Sequence, residues 1–407
     1  GDIKGAFLAD TDATSLVGGE LVTNGDGTNV TGWTITNDGG GSTLVSSGGS
    51  FVFTSDFTVA YATIAVPTTV GKTYIFSVDV TALSAGVYIR GGVNAGGSTI
   101  FVLNNVPDIK TYTFTFVAPT SQTFFNIGAL AGQSVTFDNV SVKLADADRS
   151  VNNKGLVVNG TITRTPVATG AELVGYSGFS ASNYLEQPYN AGLDFGTGDF
   201  SILVWARTNI NGTFFSRGDG VSAGSWFWRH LGNSTAPFYI HNGTSLQLVL
   251  NVALPQADFV FLTLVRRSGV VSLYANGQLI SSVSGTNPAL SMTNLTAKLR
   301  IGEQQDASYA SPQEKQALLR ISATAPSPAQ IAKIYRDELP LFQAGAGCTL
   351  YGTSDAVTAL AHDDTTDLLH VGTSAGRSVF SGLRRVSNTT VAVGTAISAS
   401  NNLIVEE

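Results

Sequence analysis

Two groups of residues have the side-chain types that sugar-binding sites use. Flat aromatic faces stack against the apolar face of a pyranose, while amides, carboxylates or arginines beside them satisfy its hydroxyl groups. Because alternate residues of a strand share a face, Trp226 and Trp228 are either both in a core or both presented to a ligand. The first candidate group comprises Trp226, Trp228, Arg229, Tyr239 and His241.

The second group lies nearer the N-terminus. Trp33, Tyr61, Tyr88 and Arg90 are candidates for lining a concave sheet face or a loop cleft. The other interpretation of Trp33, which follows Gly32, is that its indole plugs the interior of a sandwich. The sequence thus supports a binding function more firmly than it identifies the residues that bind.

Patterns that would indicate catalysis are weak. Two G-x-S-x-G strings occur at residues 220–224 and 372–376, but a nucleophile elbow lies between a strand and a helix, and both strings lie between predicted strands. Glycosidases use paired carboxylates, and the sequence has no E-x-D-x-x-E run. Glu303 and Asp306 could supply such a pair, although a solvated turn is the favoured interpretation. We therefore predict that the protein is not an enzyme.

Composition narrows the class of protein and its partners. The net charge of -7 argues against a nucleic-acid partner, and a single cysteine excludes an intrachain disulfide. The sequence has no run of about 18 apolar residues, so membrane insertion is not predicted. The start lacks methionine and a signal sequence, which suggests a fragment or a processed product. A disulfide-free chain with 45 glycines favours a virion or other extracellular surface as its location.

Strand-like segments that must position these residues run along most of the chain. In residues 73–80 and 111–116 large apolar residues alternate with polar ones, as in strands with one face in a core. Asn276-Gly277 indicates a tight hairpin. Ser327 can cap a short helix near residues 327–338, with Pro328 at its first position. The predicted fold class is all-β, with two tandem β-sandwiches of jelly-roll type and a small C-terminal β segment.

Changes in composition predict five segments. A connector at residues 1–14 precedes a sandwich at residues 15–145, and a charged, turn-rich linker at residues 146–169 follows. A second sandwich spans residues 170–340. The last segment, residues 341–407, is β-rich and is a possible trimerisation segment.

The first sandwich resembles jelly-roll carbohydrate-binding modules. Residues 24–27 (NGDG), Gly32-Trp33 and residues 137–142 (FDNVSV) match the phrases that open and close such modules, except that glycine stands at position 27 where an aromatic residue is usual. The resemblance implies a structural Ca²⁺ ion that joins the opening and closing strands. The residues at the matching positions are Glu20, Asp26 and Asp138.

The second sandwich resembles laminin-G and concanavalin A-like lectin domains. Residues 193–205 (LDFGTGDFSILVW) and the strands at 261–266 and 271–277 carry this resemblance. In the tail, residues 369–373 and 379–383 are similar to one blade of a β-propeller, and one blade cannot close a propeller.

This order of modules resembles the distal, receptor-binding part of tailed-phage fibres. The resemblance implies a homotrimer that recognises host cell-surface polysaccharide and assembles with other virion tail proteins. Three copies would also complete each other's open β edges. Two alternatives remain open: a structural spacer or decoration protein of the virion that binds no glycan, and a polysaccharide depolymerase.

Overall fold

The computed structural model describes residues 2–231, 235–304, 314–347, 349–350, 352 and 356–406. In these ranges the regular secondary structure is almost wholly antiparallel β-strand, with one α-helix and two short 3-10 helices. The all-β prediction is confirmed. No helix in the described ranges is long and apolar enough to cross a membrane.

The first twelve strands end at residue 146. In chain order they are β1 (Ile3–Phe7), β2 (Leu16–Val17), β3 (Trp33–Thr36), β4 (Thr43–Ser47), β5 (Ser50–Thr54), β6 (Val59–Pro67), β7 (Thr73–Leu83), β8 (Val87–Gly92), β9 (Phe101–Asn104), β10 (Thr111–Val117), β11 (Gln122–Leu130) and β12 (Ser134–Asp146).

The next fourteen described strands precede the helix. They are β13 (Leu156–Asn159), β14 (Thr161–Pro166), β15 (Val174–Ser177), β16 (Tyr184–Gln187), β17 (Phe200–Ala206), β18 (Gly212–Arg217), β19 (Trp226–His230), β20 (Phe238–His241), β21 (Leu246–Leu250), β22 (Val260–Arg267), β23 (Val270–Ala275), β24 (Gln278–Val283), β25 (Leu299–Ile301) and β26 (Gln316–Ser322). A 3-10 turn, Ala191–Leu193, follows β16.

The first sandwich pairs two sheets over an aromatic core. One sheet has the order β3-β6-β11-β8-β9, and the facing sheet contains β4, β5, β12, β7 and β10. Alternate residues of each strand point inward, as the sequence predicted for β7 and β10. Phe76 stacks on Phe125 at 4.6 Å between ring centroids, and both side chains are fully buried.

One sheet continues from the first sandwich into the second. The 13-residue strand β12 pairs with β5 and β7 along its length, and its last two residues pair with β13. From β13 the same sheet runs on through β16, β25, β18, β19, β20 and β21. The two sandwiches are therefore joined by backbone hydrogen bonds as well as by the chain.

The N-terminal segment and the predicted linker differ from expectation. Residues 1–14 contain β1, which pairs with β26, and residues 146–169 contain β13 and β14. All three strands belong to the sheets of the second sandwich, which also include β2. The partners of β1 lie more than 300 residues away in the sequence, so local composition carries no sign of this pairing.

Two buried carboxylates hold this junction together. The Asp146 carboxylate accepts the backbone N–H of Leu8 at 3.2 Å and the Tyr176 hydroxyl at 2.7 Å. The Asp148 carboxylate accepts the N–H groups of Ala6 and Lys154, each at 2.9 Å. Asp146 and Asp148, two of the charged residues that suggested a linker, are therefore buried, because they satisfy backbone donors of the N-terminal segment and of the following turn.

The local signals in the second sandwich predicted its turns and helix correctly. Helix α1 (Pro328–Glu338) begins after Ser327, whose side chain forms a capping box with Gln330. Asn276 and Gly277 both have positive φ angles, 50° and 78°, in the hairpin between β23 and β24. A second 3-10 turn, Leu339–Phe342, follows α1.

The tail forms a small sheet and a separate hairpin. Strands β27 (Val357–Asp363), β28 (Leu368–Thr373), β29 (Gly376–Ser381) and β30 (Arg384–Asn388) form a four-stranded antiparallel sheet, and β31 (Ile397–Ser400) pairs with β32 (Leu403–Glu406). The Asp363 carboxylate accepts the N–H groups of Asn401 and Asn402, which ties the hairpin to the sheet. The four-strand meander predicted for this segment is present.

Candidate functional site

The outward surface of the five-stranded sheet carries two ordered rows of polar and aromatic side chains. We call this surface the outer face. Strand register places Thr36, Tyr61, Gly128, Tyr88 and Asn104 in one row across all five strands. Two residues away on each strand, the second row contains Thr34, Thr63, Asn126, Arg90 and Val102.

Arg90 is fixed at the centre of the outer face. Its guanidinium lies 5.1 Å from the centroid of the Tyr61 ring and 4.8 Å from that of the Tyr88 ring. It donates hydrogen bonds to the Tyr61 hydroxyl and, at 3.0 Å, to the Asn104 amide oxygen. Aromatic and hydrogen-bond contacts together restrict the Arg90 rotamer, so the group is preorganised for a ligand.

Tyr61 supports Arg90 from below. Its side chain is only 1% exposed, and burial raises the pKa of its phenol, so the hydroxyl stays protonated. The ring lies against the backbone of Gly128, where an added Cβ would come within 2.3 Å of the ring. Glycine at position 128 therefore makes room for Tyr61. Tyr61, predicted to contact ligand, is buried, and its hydroxyl contacts Arg90 instead.

A chain of hydrogen bonds crosses the second row. The Thr63 hydroxyl donates to the Asn126 amide oxygen at 2.8 Å, so Thr36, 2.7 Å away, must donate to Thr63. The buried Asn126 amide also accepts the Gly96 N–H at 2.8 Å and donates to the Gly97 carbonyl at 2.9 Å. Asn126 thereby holds the loop after β8 against the sheet.

The accessible part of the outer face presents several kinds of polar and aromatic group side by side. Tyr88 and Arg90 are partly exposed, while Thr34 and Asn104 are exposed. Together they offer a ring face, a guanidinium, an amide and a hydroxyl within one patch. In the described ranges no carboxylate forms an ion pair with Arg90. A guanidinium without a paired carboxylate is the kind of group that hydrogen-bonds acidic ligands.

Trp33 lies on the opposite side of β3 from the outer face. The indole is buried against Phe51 and Phe137, at centroid distances of 4.9 and 5.5 Å, and its N–H donates to the Asn24 carbonyl at 3.2 Å. The prediction that Trp33 binds ligand is corrected: Ile35, the other odd-numbered residue of β3, also packs against the core, and Trp33 plugs the sandwich.

Trp226 and Trp228 are also core residues. Both are fully buried, and Trp228 packs edge-on against Phe214 and Phe215 at 5.2 and 5.5 Å. The sequence predicted correctly that Trp226 and Trp228 lie on the same face of β19. That face points between the two sheets rather than toward a ligand. In the described part of the chain neither indole N–H has an acceptor.

The other predicted residues of this group have mixed positions. Arg229 and Tyr239 do meet on the outward side of β19 and β20, where the Phe227 ring lies 4.3 Å from the Arg229 guanidinium and 5.0 Å from the Tyr239 ring. Arg229 also donates to the Gln304 amide oxygen at 2.9 Å. His241 is buried at the end of β20 and accepts the Gly243 N–H at 3.1 Å. The first candidate group is therefore not one site.

The predicted calcium ligands are engaged in other contacts. Glu20 and Asp26 line one cleft of about 380 Å³ together with Lys143. The Glu20 carboxylate already accepts the Val142 N–H at 2.9 Å and the Ser141 hydroxyl at 2.6 Å. In the described ranges no group of three or more His, Cys, Asp or Glu side chains could hold a metal. These residues therefore do not form a three-carboxylate set, and calcium stays a prediction of the resemblance.

Glu20 joins the opening segment to β12 through hydrogen bonds of its own. Replacing Glu20 with Gln is expected to lower Tm by about 2–4 °C, because one charged acceptor is lost. Thermal unfolding of the wild type and Glu20→Gln with Ca²⁺ and with a chelator measures this. A chelator that leaves both Tm values unchanged would remove the calcium prediction. A wild-type Tm that falls on chelation would instead support a calcium site.

The carboxylates considered for catalysis do not form an exposed pair in the described chain. Glu303 is fully buried and accepts a hydrogen bond from Arg300 at 2.8 Å, while Arg300 also donates to Glu186 at 2.8 Å. Asp306 lies outside the described residues. The two G-x-S-x-G strings lie between β18 and β19 and between β28 and β29, so neither has a helix after it, as predicted.

Several residues of the outer face were missed by sequence reasoning. Thr36, Thr63, Asn104 and Asn126 alternate with core residues in their own strands, and this alternation is readable in the sequence. What the sequence does not contain is the register that aligns the five strands. Residues from 34 to 128 meet in two rows only after the strands pair.

Comparison with known proteins identifies one part of the chain. No curated protein matches the chain in sequence. Among solved structures, the binding domain of botulinum neurotoxin DC in complex with rat synaptotagmin II is 16% identical, with a TM-score of 0.39, and the match covers 58% of this chain and 59% of that one.

A second botulinum structure gives similar values. The receptor-binding domain of the botulinum neurotoxin C/D mosaic serotype is 13% identical, with a TM-score of 0.38, over 60% of this chain and 61% of that one. The chain thus spans about three fifths of the length of these proteins.

A family model supplies the more specific finding. Residues 179–332, in the second sandwich, match the concanavalin A-like lectin/glucanases superfamily, which confirms the lectin-like resemblance predicted for that sandwich.

Proposed function

We propose that the protein binds cell-surface glycans through the outer face of its first sandwich. The observation that supports this most directly is the pair of registered rows, in which Arg90 is held between Tyr61, Tyr88 and Asn104. Such a patch satisfies sugar hydroxyls and stacks a pyranose without rearrangement, which reduces the entropic cost of binding. The lectin-like match of the second sandwich is consistent with the same class of ligand.

The finer assignment is a non-catalytic fibre or adhesin component of a virion that attaches to host polysaccharide. The order of the modules, two sandwiches followed by a single four-stranded blade, supports this assignment. An extracellular or virion location accompanies it, with other tail proteins as partners. Weak sites gain strength when several copies engage one surface, because the second and third contacts form at high effective concentration.

Homotrimerisation is part of this proposal, and the tail supplies its support. The hairpin of β31 and β32 exposes Leu403 by 73% and Val405 by 61%, and Leu360 in the edge strand β27 is 60% exposed. A two-stranded hairpin with apolar side chains in water is marginal on its own. Copies of this chain packed through their tails would cover these residues.

Replacing Leu403 and Val405 together with Asp is expected to convert a trimer into monomers. The carboxylates would be desolvated in the proposed interface and would repel their counterparts in the other copies. Light scattering at micromolar concentration measures the mass of the wild type and of the variant. A control pair in the first sandwich, Thr81→Asp and Asn105→Asp, adds the same charge at exposed positions away from the tail. A wild-type mass of one chain would contradict the trimer.

Replacing Arg90 with Ala is expected to weaken glycan binding about tenfold or more, because the guanidinium contacts the ligand and is fixed beforehand. The measurement is binding of labelled chains to purified bacterial capsular and O-chain polysaccharides. Lys110→Ala is the matched control, since Lys110 is an exposed cation beside the opposite sheet of the same sandwich. Equal binding by Arg90→Ala and the wild type would exclude the outer face as the site.

A further inference from the structure

A second cleft lies between the two sandwiches, apart from the outer face. It has a volume of about 440 Å³, within the range of small-molecule sites. One wall is β10, and the opposite walls are the turn after β12 and the segment after β16. Ile75 also lines the cleft and is buried against Ala145 and Val157.

The most informative residue of this cleft is Tyr189. Its side chain is 40% exposed, yet its hydroxyl is fixed by a 2.7 Å hydrogen bond to the Asp194 carboxylate. The other oxygen of Asp194 accepts from the buried Arg217 at 2.8 Å and from the Asn294 N–H at 2.9 Å. A buried ion pair of the second sandwich therefore anchors an aromatic ring that faces solvent.

The wall opposite Tyr189 carries a line of hydroxyl groups. Thr111, Thr113 and Thr115 alternate with the core aromatics of β10, so their side chains share the outward side of the strand. Phe101 and Phe114, stacked at 4.3 Å, add partly exposed aromatic surface beside them. Rings that meet apolar carbon and hydroxyls that exchange hydrogen bonds are the complement of a sugar.

The remaining wall carries amide side chains, and hydrogen bonds to residues outside the cleft fix its position. The exposed side chains of Asn152 and Asn153 lie in the turn whose backbone is fixed by the buried Asp148 carboxylate. The Lys154 ammonium donates to the Asn190 amide oxygen at 2.9 Å, so its position is set by the second sandwich. Residues of both sandwiches thus complete one cleft.

We infer that this cleft is a second glycan-binding site, for a neutral saccharide segment that stacks on Tyr189 and is hydrogen-bonded by the threonines of β10. The inference rests on the proposed function in that it assigns the same ligand class. Its geometry is independent of the outer face, because none of the residues of the two rows lines the cleft. Two sites on one chain would let a single polysaccharide strand engage both sandwiches.

Fluorine NMR of chains labelled with 3-fluorotyrosine tests the two sites separately. The chain has 12 tyrosines, and the resonances of Tyr189 and Tyr88 are assigned from Tyr189→Phe and Tyr88→Phe. The probes are cellotriose, triacetylchitotriose and trigalacturonate, titrated to about 10 mM, a range that detects weak sites. We expect a saturable shift of the Tyr189 resonance with cellotriose or triacetylchitotriose. In Thr113→Val this shift should need about fivefold more ligand, because one hydrogen bond is lost.

The outcomes distinguish this inference from the proposed function. A Tyr88 shift with an unmoved Tyr189 resonance would overturn the second site and leave the outer face standing. A Tyr189 shift with an unmoved Tyr88 resonance would support the cleft and count against the outer face. If neither resonance moves with any of the three probes, both assignments fail.

Discussion

Replacing Trp228 with Ala is expected to lower the free energy of unfolding of the second sandwich by about 3–5 kcal/mol, the usual cost of deleting a fully buried indole. The reason is that Trp228 fills the space between the sheets against Phe214 and Phe215. Chemical denaturation followed by fluorescence measures the change. Trp228→Phe should recover most of the loss, because the indole N–H has no acceptor in the described chain.

Tyr239→Ala provides the matched control for this result. Tyr239 lies on the neighbouring strand, is partly exposed, and contacts Phe227 on the outward side of the sheet. Its truncation should cost about 1 kcal/mol. If Trp228→Ala left stability unchanged and instead removed glycan binding, Trp228 would be a ligand residue, and the assignment of β19 to the core would be wrong.

Replacing Asp146 with Asn is expected to stabilise the protein at pH 7.5 by up to about 3 kcal/mol. Burial raises the pKa of the Asp146 carboxyl to about 6, whereas the unfolded chain titrates near 3.8. At pH values between 3.8 and about 6, Asp146 is protonated in the folded protein and ionised in the unfolded chain. The free energy of unfolding therefore falls as pH rises from about 4 to 6. Above pH 6 Asp146 is ionised, and the full cost of burying its charge lowers the stability of the folded protein.

Asparagine imitates the protonated carboxyl. Its oxygen can accept the Leu8 N–H, and its NH₂ can donate to the Tyr176 hydroxyl, so both contacts of Asp146 are retained. Unfolding of the wild type and of Asp146→Asn should therefore differ most at pH 7.5 and converge near pH 3.5. A variant less stable than the wild type at pH 7.5 would mean that the ionised carboxylate is stabilising at the junction.

Local patterns predicted much of the fold. Alternation located the strands of the first sandwich, Asn276-Gly277 predicted a hairpin, and Ser327 with Pro328 predicted helix α1. Each of these depends on neighbours in sequence. The pairing of β1 with β26 joins the two ends of the second sandwich, and its energy comes from contacts that exist only after the chain between them has folded.

In the candidate site, too, local sequence patterns predicted some features, whereas features that depend on distant residues were not predicted. Tyr61, Tyr88 and Arg90 were predicted as members of one candidate group, and the structure brings Arg90 to both tyrosines because alternation places Tyr88 and Arg90 on one face of β8. The same rule could not decide which face of β19 is inward, because Phe227, like the two tryptophans, is a large aromatic residue. Asp146 and Asp148 were assigned to a charged linker although both are buried, since their backbone partners Leu8 and Ala6 are distant in sequence.

The most direct test of glycan recognition is binding of the labelled, full chain to a panel of purified bacterial capsular and O-chain polysaccharides, with released sugar measured in the same wells. We expect saturable binding to at least one polysaccharide, with no release of reducing sugar. Binding accompanied by release would instead identify a depolymerase. Absence of binding to every polysaccharide by a folded trimer would contradict glycan recognition and favour a structural role in the virion.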